Sequence, residues 1–251
     1  MPHISGPNPI HHVMLGVDVK GSSHPARDDS LLPQLRAAHT ELVAEALRRQ
    51  GVGPDDYELR SRGDGGRYDF RPGISPVPVV EAVTVELGRL LRRHNKRSSE
   101  ALGLGLRLVV HGGYLLPTAD GTDADGADVN LLHGLLDAEE LRSALADGSG
   151  SYALAVSESI WHGAVRHGHG ELDPNDFTPY RLTVKGASAV PVWLTPAVGG
   201  TGRVREESAA RKDPGNPPAS DRRDPAPSGG MTFHGDVRAR NVIGRDHVSY
   251  R

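Results

Sequence analysis

Two carboxylates stand where chemistry is easiest to justify. Asp18 interrupts the apolar run Val13-Met14-Leu15-Gly16-Val17-Asp18-Val19, and Asp64 lies within Arg60-Ser61-Arg62-Gly63-Asp64-Gly65-Gly66. An ionised carboxylate among buried aliphatic side chains is costly unless a cation or strong hydrogen-bond donors satisfy it. With a second acid on a nearby turn, the simplest shared partner is a hard divalent ion completed by phosphate oxygens and water. The competing readings are that Asp18 is a strand residue less buried than its neighbours and that Asp64 belongs to an ordinary glycine-rich turn.

The elements that must carry these residues can be read from periodicity. A strand is expected over about 12–19, apolar enough to be buried on both faces. A helix is expected over 30–50, where Leu32, Leu35, Leu42, Val43, Ala46 and Leu47 form a stripe, Pro33 lies in the first turn and Gly51 follows the end. Segments 57–62 and 67–71 flank Gly63-Asp64-Gly65-Gly66, whose glycines suit a tight reversal, which places Asp64 at a hairpin apex. A second helix is expected over 77–95, with Val80, Val83, Leu87, Leu90 and Leu91 on one side. A Leu/Val-rich strand over 104–114 ends in His111-Gly112-Gly113, and an acidic loop leads to a helix over about 128–145. A short strand at 152–157, a helical turn near 159–165 and a terminal hairpin of 182–185 with 190–194 complete the order. This is an α+β arrangement with a helix layer on a mixed sheet.

Composition bounds the partners. The chain has 251 residues, 29 Lys and Arg against 32 Asp and Glu, and no cysteine. A net charge of −3 gives no electrostatic footprint for nucleic acid or an anionic membrane. The absence of cysteine excludes disulfides, thiolate zinc sites and cysteine nucleophiles. Apolar runs are only strand-length and the first residues lack the apolar core of a signal peptide, so a soluble cytoplasmic protein is expected. Lysine occurs only at 20, 96, 185 and 212, so a lysine here merits notice.

The order of motifs resembles the class III nucleotidyl cyclase homology domain, the catalytic module of adenylyl and guanylyl cyclases. It runs as a strand with Asp, a helix, a Gly-Asp-Gly hairpin, a helix, a strand ending His-x-Gly, then Gly-x-x-Val-Asn opening a helix. The resemblance spans roughly 13–194. It implies a ferredoxin-like fold, mixed and mostly antiparallel, that dimerises head to tail with sites at the dimer interface. It also implies Mg²⁺ or Mn²⁺ held by Asp18 and Asp64, and a nucleoside triphosphate as ligand. In family chemistry one ion activates the ribose 3′-hydroxyl while the other neutralises the triphosphate. Lys185, in Val184-Lys185-Gly186, resembles the lysine that grips the polyphosphate, or is a solvated hairpin residue. Asn130 resembles the asparagine that orients the ribose, and it could also cap the helix that begins beside it. Asp123, seven residues earlier, falls near a base-reading position.

Two positions depart from the family pattern. Its transition-state arginine, four residues after the asparagine and on the same helical face, is here Gly134. Its base-selecting lysine, three residues before Gly63, is here Arg60, which keeps the charge but changes the geometry. His133 and Arg142 are the cations near enough in sequence to substitute for the missing arginine. These departures imply a cyclase-like signalling protein that binds metal-nucleoside triphosphate with lost or altered cyclase activity. An active cyclase and a non-catalytic scaffold are the alternatives.

Outside the resemblance, residues 1–11 read as a flexible N-terminus before a domain of 12–196. Residues 197–230 are too poor in large apolar side chains to fold alone and read as a disordered linker. Residues 231–251 recover Phe233, Val237, Val242, Ile243 and Val248 with glycines near both ends of an alternating stretch. That pattern suits a short strand that pairs with a protein partner, in the style of adaptor motifs of bacterial immunity proteins. His162, His167 and His169 have metal-ligand residue types, but their interleaved glycines favour a polar loop.

Overall fold

The computed structural model describes residues 8–20, 31–117, 124–147, 150–185 and 187–195. Asp123, the segment 197–230 and the segment 231–251 lie outside the described residues.

Strand β1 (Ile10–Val19) lies at the middle of the fold, beginning two residues before the expected boundary because Ile10 and His11 pair with Leu115 and Tyr114. Helix α1 (Leu32–Arg49) follows, with proline in its first turn and Gly51 taking a positive φ of 77° just past its end. Strands β2 (Tyr57–Arg62) and β3 (Gly65–Phe70) form the expected hairpin. The second helical run is interrupted: α2 (Pro76–Glu81) passes into a π-helical turn (Ala82–Leu87) and then α3 (Gly88–Asn95). Ser75 opens this run by accepting a hydrogen bond from the Val77 amide.

Strand β4 (Leu106–Pro117) starts two residues later and ends three residues later than expected, and the short β5 (Ala124–Asp125) pairs with its end. The helix expected over 128–145 is two helices, α4 (Ala127–Leu136) and α5 (Glu139–Asp147). The break falls at Asp137-Ala138, where apolar residues on both sides of the bend enter one core. Strand β6 (Tyr152–Ser157), helix α6 (Glu158–Gly163) and the hairpin of β7 (Thr178–Val184) and β8 (Ala187–Thr195) complete the domain.

The sheet runs β2-β3-β1-β4-β6-β8-β7, and all of these pairs are antiparallel except β4–β6. This is the expected α+β fold with a mixed, mostly antiparallel sheet. Helices cover both faces rather than one, because alternate residues of the central strands are apolar on each side. Leu15, Val17, Tyr68, Phe70, Leu106, Leu108 and Val110 enter one core with α1, α2 and α3. Met14, Val109, Ala153, Ala155 and Leu194 enter a second core with α4 and α5. Among the described residues, no helix is long and apolar enough to cross a membrane.

Candidate active site

Asp18 and Asp64 lie at the same end of the sheet, where the β2–β3 hairpin closes on the end of β1. The β2–β3 loop is only Gly63-Asp64, since Arg62 pairs with Gly65, and Gly63 takes φ 59°. A positive φ at the first of two loop residues suits the II′ hairpin turn, which takes glycine there. Gly65 and Gly66 belong to β3 rather than to the turn. A β-carbon at position 65 would collide with the carbonyl oxygen of Val17 and lie 3.1 Å from the Asp18 α-carbon. Glycine at 65 therefore lets the hairpin close on β1, and the closure carries Asp64 beside Asp18. The neighbouring negative charge is felt: Asp18 is pushed above the usual carboxylate pKa by burial, with Asp64 and Asp137 adding to the rise and Arg107 opposing it.

Asp18 already has a protein counter-ion. Arg107 of β4 stands directly opposite it in the β1–β4 ladder. Its Nε donates to Asp18 Oδ2 at 2.8 Å, and a terminal guanidinium nitrogen donates to the same oxygen. Arg107, like Asp18, is a charged residue in an apolar strand, a site residue that sequence reasoning missed. Its signal was the alternation itself, since residues 107, 109 and 111 share the face of Asp18.

Beneath Asp64 sits His39, on the α1 stripe between Leu35 and Val43. It is 1 % exposed, and neither ring nitrogen reaches a hydrogen-bond partner at good geometry. Burial holds it below the usual imidazole pKa while Asp64 pulls the other way. Its i, i+4 register with Leu35 and Val43 puts it on the buried stripe of α1.

The remaining candidates lie apart from the aspartates. Arg60 is on β2, where its Nε donates to Asp69 Oδ2 at 2.9 Å and a terminal nitrogen donates to Glu58 at 2.8 Å. Arg67 grips the same Asp69 with two bonds of 2.7 and 2.9 Å. Arg67 and Asp69 are 5 % and 6 % exposed, so Arg60 belongs to a carboxylate shared by two guanidiniums. Asn130 is exposed in the first turns of α4. It does not cap that helix: Gly126 is the N-cap residue, with φ 147°. Lys185 is exposed just past β7, at the sheet edge opposite β2. Three strands separate β7 from β1, a path of roughly 19 Å at the usual strand spacing. One chain thus places Asp18 and Asp64 at the same end of the sheet and leaves Lys185 distant.

Two further features explain the motifs. His111 approaches Asp128 Oδ1 at 3.2 Å, while the Tyr114 amide donates to Asp128 Oδ2 at 2.6 Å. The His-x-Gly segment is therefore what anchors the start of α4, and Gly113 leaves room for the Asp128 side chain. At Gly134 a β-carbon would collide with a γ-methyl of Val184, so any side chain there would have to displace Val184 or move α4 from β7. Arg142 of α5 donates to Asp137 at 3.2 Å. Of the three histidines expected in a polar loop, His162 instead lies on α6 and His167 ends a short 3-10 turn, with Arg166 bonding both rings. Among the described residues, no group of three or more His, Asp or Glu side chains converges as a metal-ligand set.

The fold is similar to that of solved cyclase structures. An adenylate/guanylate cyclase/hydrolase from Silicibacter pomeroyi superposes with a TM-score of 0.52 and 16 % identity, over 75 % of this chain and 97 % of that one. The chain folds as a nucleotidyl cyclase domain. A bacterial light-regulated adenylyl cyclase gives 0.56 at 12 % identity over 80 % of this chain, which spans 56 % of that protein. A second structure of a bacterial light-regulated adenylyl cyclase gives 0.52 at 12 % identity, over 77 % and 93 % of the two chains. No protein-family model and no curated protein matches the sequence.

Proposed function

We infer that this chain is a cyclase-like signalling protein that binds a metal-nucleoside triphosphate and has lost or altered its cyclase activity. The observation that carries the reading is the pairing of Asp18 with Asp64 on a cyclase fold whose position 134 is closed by Val184. The donor set fits one hard divalent ion, Mg²⁺ or Mn²⁺: the Asp18 oxygen not bonded to Arg107 and the Asp64 carboxylate supply anionic oxygens. When bound, such an ion would neutralise triphosphate charge and lower the pKa of a nearby hydroxyl.

The chain's own residues favour holding over reacting. A cation at 134 would stabilise the charge that develops on the transferring phosphorus, and loss of such a group costs about 10²–10³ in rate. Arg142 lies on the surface of α5, paired with Asp137. Arg60 is held by Asp69 and Glu58, which restrains it from reading a base. Lys185 and Asn130 would act on a triphosphate held by a second copy, as the head-to-tail homodimer expected from the resemblance requires. Residues 231–251 would then serve to capture a protein partner.

The test is purified protein with each ribonucleoside triphosphate and Mg²⁺ or Mn²⁺, measured for nucleotide binding, cyclic product and pyrophosphate. Tight binding without product, lost in Asp18→Ala, is expected. Product that disappears in Asp18→Ala would replace this reading with an active cyclase, and metal-dependent binding that survives Asp18→Ala would remove the site.

A further inference from the structure

We propose that the groove between α1 and α3 binds a small amphipathic acid, an apolar body that carries one carboxylate or phosphate. The inference is independent of the triphosphate reading, since neither Asp18 nor Asp64 lines this groove. The two helical runs are joined near the end of α1, where Arg49 donates to Glu86 at 3.1 Å. Away from that pair α1 rests mainly on the π-helical turn of 82–87 and touches α3 little. Such turns interrupt a helix at a cost and are common beside functional sites. The space left between the helices is about 710 Å³, within the ~300–1,000 Å³ of small-molecule pockets.

The floor and the rim of the groove have different chemistry. Ala38, Leu42, Tyr57 and Leu90 line it with apolar surface. Tyr57 is held edge-on by Tyr68 and Phe70, so this floor exists before any ligand arrives. On the rim, Arg48 and Arg49 are paired with Glu45, and Arg49 also with Glu86. Arg93 and Arg97 line the same groove, exposed and four residues apart at the end of α3, and among the described residues neither has a carboxylate partner. Two guanidiniums at that spacing can offer planar donors to one acid group. Glu41 on the α1 wall repels an anion, which directs the acid group to the α3 side. The apolar body then covers the floor, where burial contributes in proportion to the area removed from water. The chain as a whole carries a net charge of −3, so this local positive charge suits a small anion rather than a polyanion.

The experiment is calorimetry on the full chain with octanoate, octyl phosphate, octanol and acetate, each below the concentration at which it aggregates. Wild type should bind octanoate or octyl phosphate at one molecule per chain, and the tighter of the two identifies the head group. Octanol lacks the charge and acetate lacks the body, so each should bind at least about 10-fold more weakly. Arg93→Gln/Arg97→Gln should bind the acids about 10-fold more weakly at an unchanged melting temperature, while Arg166→Gln, an exposed arginine outside the groove, should bind them as wild type does. Ala38→Phe should block both acids by filling the floor. If Arg93 and Arg97 serve only to complement the dipole at the helix end, the double variant will melt lower and bind octanoate as tightly as wild type, which overturns the proposal. Binding of many molecules per chain without saturation would overturn it as detergent-like adsorption. Failure of both acids to bind would overturn it as well and leave the groove to a macromolecular partner.

Discussion

The two faces of the β2-β3-β1 hairpin region are built from alternate residues of the same strands and behave as different materials. Toward α1 and α3 the side chains are Leu15, Val17, Tyr68 and Phe70, all nearly without solvent contact. Toward the other side they are Asp18, Arg67 and Asp69, joined by Glu58, Arg60 and the facing Arg107. The first face is held by burial, which is non-directional and tolerant of exchange between apolar residues of like volume. The second is held by charge pairs whose worth depends on every partner being present. Stability concentrates on one side of a strand and specificity on the other, one residue apart.

The largest expected effect breaks the apolar face. Phe70→Ala should cost about 4 kcal/mol, read from urea unfolding, because it removes a buried ring between Tyr57 and the helices. Next comes the polar face. Asp69→Ala leaves Arg60 and Arg67 without their common acceptor and should cost about 3 kcal/mol, whereas the triple variant Arg60→Met/Arg67→Met/Asp69→Leu should stay within about 1 kcal/mol of wild type. If the triple variant proves as damaging as Asp69→Ala alone, the contrast between the faces is wrong.

A smaller effect is expected where α4 meets β7. Gly134→Ala should cost about 2 kcal/mol through its collision with Val184, and Val184→Ala in the same chain should return most of it. Gly134→Arg should fail to produce cyclase activity, since its side chain is aimed at the sheet.

The smallest effect is a pH dependence that sharpens the contrast from within the core. His39 and His111 are both held below the usual imidazole pKa by burial. Each therefore binds its proton more readily in the unfolded chain, so stability is full above the unfolded value near 6.5 and falls as pH drops through and below it. His39→Leu should flatten that decline in thermal melts between pH 7.5 and 5.5, leaving the share due to His111. An unchanged slope would mean that His39 is not the buried neutral base described here.

Much of the fold was legible because it rests on local periodicity. The α1 stripe, the apolar run of β1 and the Gly63-Asp64 reversal each gave an element within a few residues of its observed place. Boundaries failed where a long-range contact set them. The α4–α5 break follows from one helix having to serve two stretches of core, and β4 extends past 114 because β1 and β5 pair with it. The π-helical turn within 82–87 had no sequence signal that the apolar stripe could reveal.

The chain's residues by themselves determined that a carboxylate would stand in a strand, that a second would crown a hairpin, and that position 134 would carry no charge. Only the tertiary structure decided what Asp18 faces. A cross-strand partner depends on register between segments 89 residues apart, which no local pattern encodes, and that register gives Asp18 the guanidinium of Arg107. The same holds for Gly134: its lack of a side chain was plain in the sequence, but the Val184 methyl that fills the space belongs to a strand 50 residues on.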